Sequence, residues 1–366
     1  MHSVDRPRYP KVPTMNDPQT AEIDLPCSEI PETLAFFQDT LGFILHTIYP
    51  ADDPAVAVLS GHGLRLRLVR GLKGEAGRIR LLSPDAAPRE VRAPNGTVID
   101  FAPLNPWPAI PENRPSFIHC AAPTEQEWGT GRAGMQYRDL IPDRWGGRFI
   151  ASHIRIPQGG PVPDYVHFHK VRFQMIFCYR GWVRLVYEDQ GDPFILRAGD
   201  CVLQPPEIRH RVLEASDGLE VVEIGCPADH PTHVDHILPL PTGELRPDRD
   251  FHGQRFVRHG AAEAVWEDWT LPGFRQRDLG IAAATDGLAR VHVVERLPEA
   301  PLPDGLTITA AEEFHFLFCT GGSARLLVET GGAAALEAAA SVALPPGTLW
   351  HFFETSSDLS FLEVCL

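Results

Sequence analysis

An internal repeat is the feature of this 366-residue sequence that most constrains its fold. Three segments recur in the same order farther along the chain: GMQYRDL (134–140) as GFRQRDL (273–279), QMIFCYRGWVRLVYE (174–188) as HFLFCTGGSARLLVE (315–329), and LQPPEIRH (203–210) as LPPGTLWH (344–351). The offset is 139 residues for the first match and 141 for the other two. Spacing this constant indicates one structural module present in two copies.

Each copy has the composition of short β-strands. FILRAGDCVLQPP in the first copy and RLLVETGG in the second carry β-branched and aromatic runs, which Gly, Pro or Asp interrupts about every 8–12 residues. Gly (31 residues) and Pro (35) are plentiful and scattered between short apolar runs, which favours turns over long helices. The sequence therefore predicts a mainly β fold, with copies at about 126–240 and 250–366.

A group of polar side chains in the first copy predicts a metal site. His167 and His169 alternate along a predicted strand, so both face the same side, which in a narrow barrel is the lumen. Two neutral imidazoles are costly to bury without partners, and they are natural ligands of a divalent metal. Gln174 follows five residues after His169, and His210 closes the block that Gly199 opens.

This arrangement resembles the two sequence motifs of the cupin superfamily, carried by residues 159–181 and 199–212. The resemblance implies two tandem cupin barrels (double-stranded β-helices), with the three histidines as metal ligands. Gln174 stands where the family has Glu, and Glu207 stands where the second motif usually has Gly. Cupins similar to uronate-ring-opening enzymes use three His and a Gln, so Gln174 is compatible with a metal.

The expected donor set selects a class of metal. Three neutral imidazoles and one amide oxygen favour a transition ion over Mg or Ca, and we expect Fe, with Zn, Ni, Mn or Co as alternatives. One or two coordination positions stay open, which is typical of a catalytic centre.

Three functions are compatible with such a centre. The resemblance to three-His cupin dioxygenases implies O2-dependent C–C cleavage of a small chelating enol, diketone or hydroxylated aromatic acid, which is the function we expect. A lyase or isomerase of the sugar-acid ring-opening type is the first alternative, and a non-catalytic small-molecule-binding cupin is the second. Proton transfer would require a base, and the candidates near the motifs are Tyr165, Arg172, Glu207 and Tyr187.

The second copy lacks most of the predicted ligands. A shift of 141 residues places Ile308, Ala310, His315 and His351 at the four ligand positions, so both members of the His-x-His pair are lost. We expect a degenerate, metal-free cupin that serves in packing or as a lid. The alternative is a second, weaker site at His315 and His351.

A different unit is predicted at residues 20–103. AEIDLPCS has the composition of a strand, and the helix that follows places Leu34, Phe37 and Leu41 at helical spacing before Gly42 ends it. Three strand-like runs come next, AVAVLS, GLRLRLVR and GTVIDFAP. The order predicts a small α+β unit, β-α-β-β-β.

This unit resembles one module of the glyoxalase/bleomycin-resistance/extradiol-dioxygenase superfamily, through TLAFFQDTLGF (33–43) and PNGTVIDF (94–101). The resemblance places Glu22 and Asp100 near the family's ligand positions. Only one module is visible, so we expect a structural or substrate-shielding role. A Pro-rich linker is predicted at 104–125.

Charge and cysteine content limit the partners. The formal net charge of −15 disfavours nucleic acid and anionic membranes. Seven cysteines, far apart and without a Cys-x-x-Cys pair, are typical of free thiols in a reducing compartment, and the start of the chain lacks an apolar signal segment. We therefore expect a cytoplasmic protein with a small-molecule substrate, as a monomer or as a homodimer joined through the N-terminal module.

Two further patterns carry no predicted chemistry. The G-x-G-x-x-G match at 129–134 lacks the strand before it and the helix after it that dinucleotide binding requires. Cys178, Cys201 and Cys319 lie in apolar predicted strands, where we expect inert, packed thiols.

Overall fold

The computed structural model of the protein describes residues 20–301, 306–329 and 332–366. The chain divides into two compact units, Met1–Pro106 and Trp107–Leu366. Across the described ranges, no helix has both the length and the apolar composition needed to cross a membrane.

The first unit is a small α+β structure. Its elements are β1 (Ile23–Pro26), α1 (Ile30–Ala35), a π-helical turn (Phe36–Thr40), β2 (Ile44–Tyr49), β3 (Val56–Gly61), β4 (Leu64–Val69), β5 (Arg78–Ser83), β6 (Arg89–Arg92) and β7 (Val98–Pro103). Pro31 lies in the first turn of α1, where its fixed φ suits the helix, and Gly42 follows the helical segment with φ +75°. Ile30 and Phe37 are fully buried beneath the sheet strands.

Three strands of one sheet in this unit have the same order and the same directions as the three strands of a second sheet. The first sheet has the order β1-β4-β3-β2, with β1 parallel to β4, and together with α1 its strands follow a β-α-β-β-β order that includes β2, which was not predicted. The second has the order β5-β7-β6, with β5 parallel to β7, which repeats β1-β4-β3 without a helix. The expected closing strand GTVIDFAP (β7) therefore belongs to the second sheet. The sequence pattern does not predict β2, because most of its side chains are exposed and show no buried alternation.

The second unit contains the two copies of the repeat. The strands of the first copy are β8 (Ile118–Cys120), β9 (Gly129–Thr130), β10 (Gln136–Asp139), β11 (Ile150–Ile156), β12 (Gly160–Pro161), β13 (His167–His169), β14 (Phe173–Arg180), β15 (Trp182–Tyr187), β16 (Phe194–Arg197), β17 (Cys201–Leu203), β18 (His210–Ala215), β19 (Leu219–Cys226) and β20 (Thr232–Val234). A turn with left-handed backbone, α2 (Arg144–Gly147), and 3-10 turns at Glu125–Glu127 and Arg132–Gly134 interrupt them.

The connection and the second copy follow. Their strands are β21 (Asp250–Phe251), β22 (Gln254–Arg255), β23 (Val257–His259), β24 (Glu267–Asp268), β25 (Phe274–Asp278), β26 (Arg290–Arg296), β27 (Ile308–Thr309), β28 (His315–Gly321), β29 (Ser323–Val328), β30 (Gly332–Glu337), β31 (Ser341–Leu344), β32 (Leu349–Thr355) and β33 (Ser360–Cys365). A 3-10 turn at Ala261–Glu263 and one turn of helix, α3 (Ile281–Ala284), complete the list.

Each copy folds into a barrel of two facing sheets. The first barrel pairs β23-β17-β14-β19-β11-β10-β9 with β16-β15-β18-β13-β20, and the second pairs β24-β25-β26-β33-β28-β31-β8 with β27-β32-β29-β30. The prediction of a mainly β fold with two tandem barrels is confirmed by this strand pairing. The first strand of each copy is exchanged, since β8 pairs with β31 of the second barrel and β23 with β17 of the first.

The larger sheets of the two barrels pack against each other. Phe149 in the first barrel stacks on Phe314 in the second with ring centroids 4.4 Å apart, and Trp145 contacts the same ring edge-on at 5.3 Å. All three side chains are fully buried in one apolar cluster that both barrels share. Each barrel also has a separate interior, lined by its own strands.

The strand register corrects the sequence alignment of the third repeated segment. His167 and Tyr187 lie opposite His210 in the first barrel, and the matching positions of the second barrel lie opposite Trp350. Trp350, not His351, therefore stands at the position of His210, at an offset of 140. The interval between β29 and β31 is one residue shorter than that between β15 and β17, which accounts for the shift.

Candidate metal centre

Three histidines meet at one end of the first barrel. His167 and His169 lie on β13 with one residue between them, and His210 begins β18 directly opposite His167. The three side chains are buried, and one ring nitrogen from each lies within 4.8 Å of the others. Strand alternation and cross-strand pairing therefore bring together the three histidines predicted from the sequence.

The backbone fixes how each imidazole presents its nitrogens. Nδ1 lies 2.8 Å from the Tyr165 carbonyl in His167, 3.3 Å from the Pro231 carbonyl in His169, and 3.0 Å from the Ile208 carbonyl in His210. A carbonyl only accepts, so each Nδ1 carries the proton and donates it. Each Nε2 is then left with a lone pair, which is the orientation that ligating histidines have in metal sites.

The three histidines are neutral at neutral pH. Burial lowers the pKa of His169 to about 3, with a further lowering from nearby His230 and His167. Burial is also the main cause that lowers the pKa of His167 and takes that of His210 well below its ordinary value. Neutral imidazoles with free lone pairs fit a divalent transition ion, and this donor set does not suit Mg or Ca.

Gln174 adds an amide beside the histidines. It is buried on β14, and its Nε2 donates to Oε1 of Glu223 on β19 at 2.6 Å. That bond orients the amide and leaves Oε1 as the atom that can serve a metal or a ligand. The sequence motifs do not include Glu223, but VVEIGC (221–226) matches FLEVCL (361–366), so an extended repeat alignment would have flagged it.

Arg132 enters the site from the 3-10 turn before β10. Its Nη1 pairs with Asp164, which is buried and also accepts from the backbone N–H of Val212 at 2.9 Å. Its Nη2 lies 3.3 Å from Nε2 of His167, the nitrogen that a metal would use. The G-x-G-x-x-G segment therefore contributes a cation to the site, and no sequence spacing predicts that contact.

A cavity of about 270 Å³ opens beside the histidines inside the first barrel. Nine aliphatic side chains line it: Ile150, Ile154, Ile156, Ile176, Val183, Leu185, Val212, Leu219 and Val221. Besides the histidines and Gln174, the polar side chains that line it include Arg132, Ser152, Gln204, Glu223, Asp229, His230 and Thr232. His230 donates from Nδ1 to the Pro227 carbonyl at 2.7 Å, and its ring contacts that of His169 at 5.2 Å.

Tyr187 and Tyr165, two of the predicted base candidates, contact the histidines. Tyr187 is buried, its ring stacks on His210 with centroids 5.5 Å apart, and its hydroxyl donates to Oε1 of Gln204 at 2.5 Å. Burial raises the pKa of Tyr187 well above its ordinary value, so the phenol stays protonated. Tyr165 lies edge-on to His167 at 5.8 Å, and the Arg132 guanidinium sits 5.5 Å from its ring centroid.

The other two candidates have their partners elsewhere. Arg172 forms an ion pair with Glu313 of the second barrel. Glu207 pairs with His252 at 2.7 Å, and neither Glu207 nor Arg172 is among the residues that line the cavity. Glu207 has φ +62°, and Gly347 at the equivalent position of the second barrel has φ +80°. The turn thus requires the left-handed conformation that the family's glycine provides, and Glu207 adopts it.

The second barrel has a different interior. Ile308, Ala310 and Trp350 occupy the three histidine positions, and Trp350 is fully buried. His315 lies at the Gln174 position, and its Nε2 is 3.2 Å from Oε1 of Glu363, so it repeats the Gln174–Glu223 contact. His351 alternates away from Trp350 on β32 and is not part of the His315 cluster.

The predicted ligand positions of the first unit are occupied by ion pairs. Glu22 pairs with Arg65 at 2.6 Å, and Asp100 pairs with Arg80 at 2.7 Å. Among the described residues, the only groups of three or more potential ligands are His167/His169/His210 and Glu312/His315/Cys365. All seven cysteines are free thiols, and burial raises the pKa of both Cys178 and Cys319 to about 12 and that of Cys201 farther still.

Comparisons with known proteins give only remote similarities. No family model and no curated protein matches the sequence. Among solved structures, Escherichia coli Ylba, described with family model DUF861, is 10% identical and covers 67% of this chain and 86% of its own, with a TM-score of 0.46.

Two oxalate decarboxylases are similar at a comparable level. The SENS161-164DSSN mutant of the Bacillus subtilis enzyme OxdC is 13% identical, covering 70% of this chain and 79% of its own, with a TM-score of 0.49. The formate complex of the Lactobacillus farciminis enzyme is 14% identical, covering 70% and 88%, also with a TM-score of 0.49. Because identities and TM-scores are this low, the fold assignment rests on the strand pairing described above.

Proposed function

We propose that this protein is a metal-dependent cupin enzyme, a dioxygenase that acts on a small enol, diketone or hydroxylated aromatic acid. The observation that carries the proposal is the convergence of three buried histidines, each with its Nδ1 against a backbone carbonyl, at a cavity that nine aliphatic side chains help to line. Three histidine ligands leave positions open for a chelating substrate. The aliphatic part of the wall suits an apolar body of the substrate.

The composition of the cavity wall favours an aromatic or enolic acid over a sugar acid. A sugar presents several hydroxyl groups, and each would need a hydrogen-bond partner once it is buried. Nine aliphatic side chains line the cavity and offer none, and the polar side chains that line it besides the group around the histidines are Tyr137, Ser152, Gln204, Asp229 and Thr232. An aromatic ring or a short alkyl chain would instead gain free energy from contact with that surface.

Arg132 is the group we assign to recognition of a substrate anion. Its pairing with buried Asp164 holds the guanidinium beside His167. An ion on Nε2 of His167 would take the lone pair that Arg132 now contacts, so Nη2 would then be free to donate to a carboxylate or enolate oxygen. Arg132→Met should raise KM for an anionic substrate at least about tenfold, since a hydrogen bond to a charged group contributes about 1.5–3 kcal/mol.

The bound ion, for which Fe is the expected identity and Zn, Ni, Mn or Co the alternatives, would supply Lewis acidity and, as iron, redox chemistry with O2. The residues of the chain itself bind the substrate and keep water away from it. The aliphatic wall keeps water from the substrate, and the Tyr187 ring holds His210 in place by stacking. Gln174, with its amide held by Glu223, presents an oxygen and no acidic proton.

Glu223 favours a second candidate, a proton-transferring lyase or isomerase. It is a carboxylate that lines the cavity beside the histidines, within hydrogen-bond distance of Gln174. A carboxylate in that place can remove a proton from a substrate carbon next to a polarised carbonyl. Glu223→Gln separates the candidates: an oxygenase that receives an ionised substrate keeps its kcat, whereas a lyase or isomerase loses it.

The experiment that tests the proposal combines metal analysis with O2 consumption. The purified protein is quantified by ICP-MS, then stripped and reloaded with Fe(II), Mn(II) or Zn(II), and screened with enols, β-diketones and hydroxylated aromatic acids in an oxygen electrode. His167→Ala/His169→Ala is the test variant. His233→Ala is the matched control. His233 lies on β20 and stacks on Phe168, which is between His167 and His169 on β13, but His233 is not in the metal cluster.

We expect stoichiometric metal and iron-dependent O2 uptake, both lost from the first barrel in the double variant and retained in the control. Conversion of a substrate without O2 uptake would support the lyase or isomerase instead of the dioxygenase. A first barrel that takes up no metal after reloading would overturn the enzyme proposal and leave a small-molecule-binding protein.

A further inference from the structure

The second barrel contains a group of potential ligands that the cupin motifs do not include. Glu312, His315 and Cys365 each place one ligand atom within 4.8 Å of the other two. His315 opens β28, Cys365 ends β33, and the two residues lie directly opposite in register. His315 and Cys365 are buried, whereas Glu312 is partly exposed, so the group is open to solvent on the Glu312 side.

His315 is oriented by a carboxylate behind it. Its Nε2 lies 3.2 Å from Oε1 of Glu363, and its Nδ1 lies on the Glu312 side, 3.9 Å from Oε2. Neither ring nitrogen has a hydrogen bond of regular geometry, although the side chain is only 3% exposed. A buried histidine with a carboxylate on one nitrogen and an unpartnered nitrogen facing two other ligands has the arrangement found in carboxylate–histidine–metal sites.

Glu363 is itself held firmly. It is buried, and its Oε2 accepts from Trp269 Nε1 at 3.2 Å and lies 3.3 Å from Nδ1 of His292. These contacts place Oε1 toward His315 and occupy the other oxygen. Glu363 can therefore act as the outer partner of His315 without being a ligand.

From this geometry we propose that the second barrel binds a zinc ion through the Cys365 thiolate, His315 Nδ1 and the Glu312 carboxylate. A sulfur, an imidazole nitrogen and a carboxylate oxygen form a donor set that zinc prefers, with the fourth tetrahedral position open to water. Binding replaces the S–H bond of Cys365 by a sulfur–zinc bond, and the thiol proton leaves to solvent. The ion then has two anionic ligands, whereas the histidine site of the first barrel has none.

The site is not a remnant of the first barrel's metal centre. By register, its three positions correspond to Val171, Gln174 and Gly225, of which only Gln174 stands at a ligand position of the cupin motifs. It is also distinct from the pair His315 and His351 considered from the sequence. Arg290 pairs with Glu312 at 2.5 Å, so zinc binding would require Arg290 to release one oxygen of the Glu312 carboxylate. The half-exposed Arg290 side chain can do so because water replaces the ion pair.

The test uses the full-length His167→Ala/His169→Ala protein, so that the first barrel contributes no signal. After chelation, the protein is titrated with Zn(II) followed by ICP-MS, and separately with Co(II) followed by absorption. A cysteine ligand gives a thiolate-to-cobalt charge-transfer band in the near ultraviolet, which a site built from histidines alone does not give.

We expect stoichiometric zinc and the thiolate band, both abolished in Cys365→Ser and both retained in Cys120→Ser, the half-buried control. Glu312→Gln should weaken zinc binding, and Glu363→Gln should weaken it about 10–100-fold, as loss of an outer partner does. Circular dichroism checks folding, and if Cys365→Ser does not fold, the partly exposed Glu312→Gln carries the test. Absence of zinc and of the band, or a band that persists without Cys365, would overturn the proposal. Either result leaves the proposed function of the first barrel untouched.

Discussion

The two barrels of the second unit share one strand order, to which the first barrel adds β12 and β20, but their interiors differ. The first encloses a cavity with three buried histidines at one end, and the second is filled. At matching positions, side chains of the first barrel are replaced by larger aromatic rings in the second: Met135 by Phe274, His210 by Trp350, Val212 by Phe352 and Val221 by Phe361.

The difference shows which parts of the module are required for folding. The shared apolar cluster between the large sheets and the exchanged strands β8 and β23 belong to the two barrels jointly. The interiors are free to differ, since the second barrel forms without any of the three histidines. In the first barrel these histidines are therefore best explained by a ligand rather than by the needs of the fold.

Removing a large buried side chain from the second barrel should have the largest effect, a loss of folding stability. Trp350→Ala removes a fully buried indole from the interior of the second barrel. We expect the free energy of unfolding to fall by about 3–5 kcal/mol, because the cavity left behind adds to the lost burial. Urea denaturation followed by circular dichroism measures it. A loss below about 1 kcal/mol would mean that the second interior relaxes easily, and the contrast with the first barrel would weaken.

Acid should affect the first barrel through its histidines. In the metal-free protein His169 has a folded-state pKa of about 3 against about 6.5 when unfolded, and the pKa values of His167 and His210 are also lowered by burial. Because the unfolded chain then binds more protons, this stability is present above pH ~6.5 and is lost as pH falls through the folded values.

Each such histidine contributes up to about 1.4 kcal/mol per pH unit within its window. We expect the stability of the metal-free wild type to fall more steeply from pH ~6.5 toward pH ~4 than that of His167→Ala/His169→Ala. Equal slopes in chemical denaturation at several pH values would contradict the buried, neutral state of these histidines.

Filling the cavity of the first barrel with a larger side chain should weaken ligand binding and leave the fold intact. Val212→Phe copies the side chain of Phe352 into the cavity wall of the first barrel. We expect substrate-class ligands to lose affinity by tenfold or more while stability changes by less than about 1.5 kcal/mol, since the added ring occupies existing space. Calorimetric titration and thermal unfolding measure the two quantities. Unchanged affinity would place the ligand outside this cavity.

The smallest effect is expected at the buried thiols, which do not distinguish the barrels. Cys178 and Cys319 occupy the same position in the two copies, and burial raises the pKa of both to about 12. Neither should react with iodoacetamide in the folded protein at pH ~8, because little thiolate is present. Peptide mass spectrometry detects the adduct, and the half-buried Cys120 is the internal comparison.

The sequence was sufficient for the elements that local pattern controls. Repetition and turn spacing predict a mainly β fold in two copies, the resemblance to cupins implies that each copy is a barrel, and His-x-His alternation with His210 predicts the buried cluster. It misplaced His351, because a one-residue difference between β15–β17 and β29–β31 reverses which side chains face inward. Only the register of paired strands reveals that difference.

The remaining site residues depend on contacts between distant segments. Arg132 reaches His167 from a turn 35 residues earlier, and Glu223 reaches Gln174 across 49 residues. His230 lies in a segment whose Pro, Asp and His content is typical of a linker. These side chains meet because the barrel closes, and no local spacing in the sequence predicts which residues that closure brings together.

Anomalous X-ray diffraction from crystals of the metal-loaded protein, recorded at the absorption edge of the loaded ion, locates the ion relative to the three histidines. We expect a peak in the first barrel about 2.0–2.2 Å from Nε2 of His167, His169 and His210, with Arg132 withdrawn from His167. No peak at these three nitrogens, or a peak that contacts their Nδ1 atoms instead, would contradict this expectation.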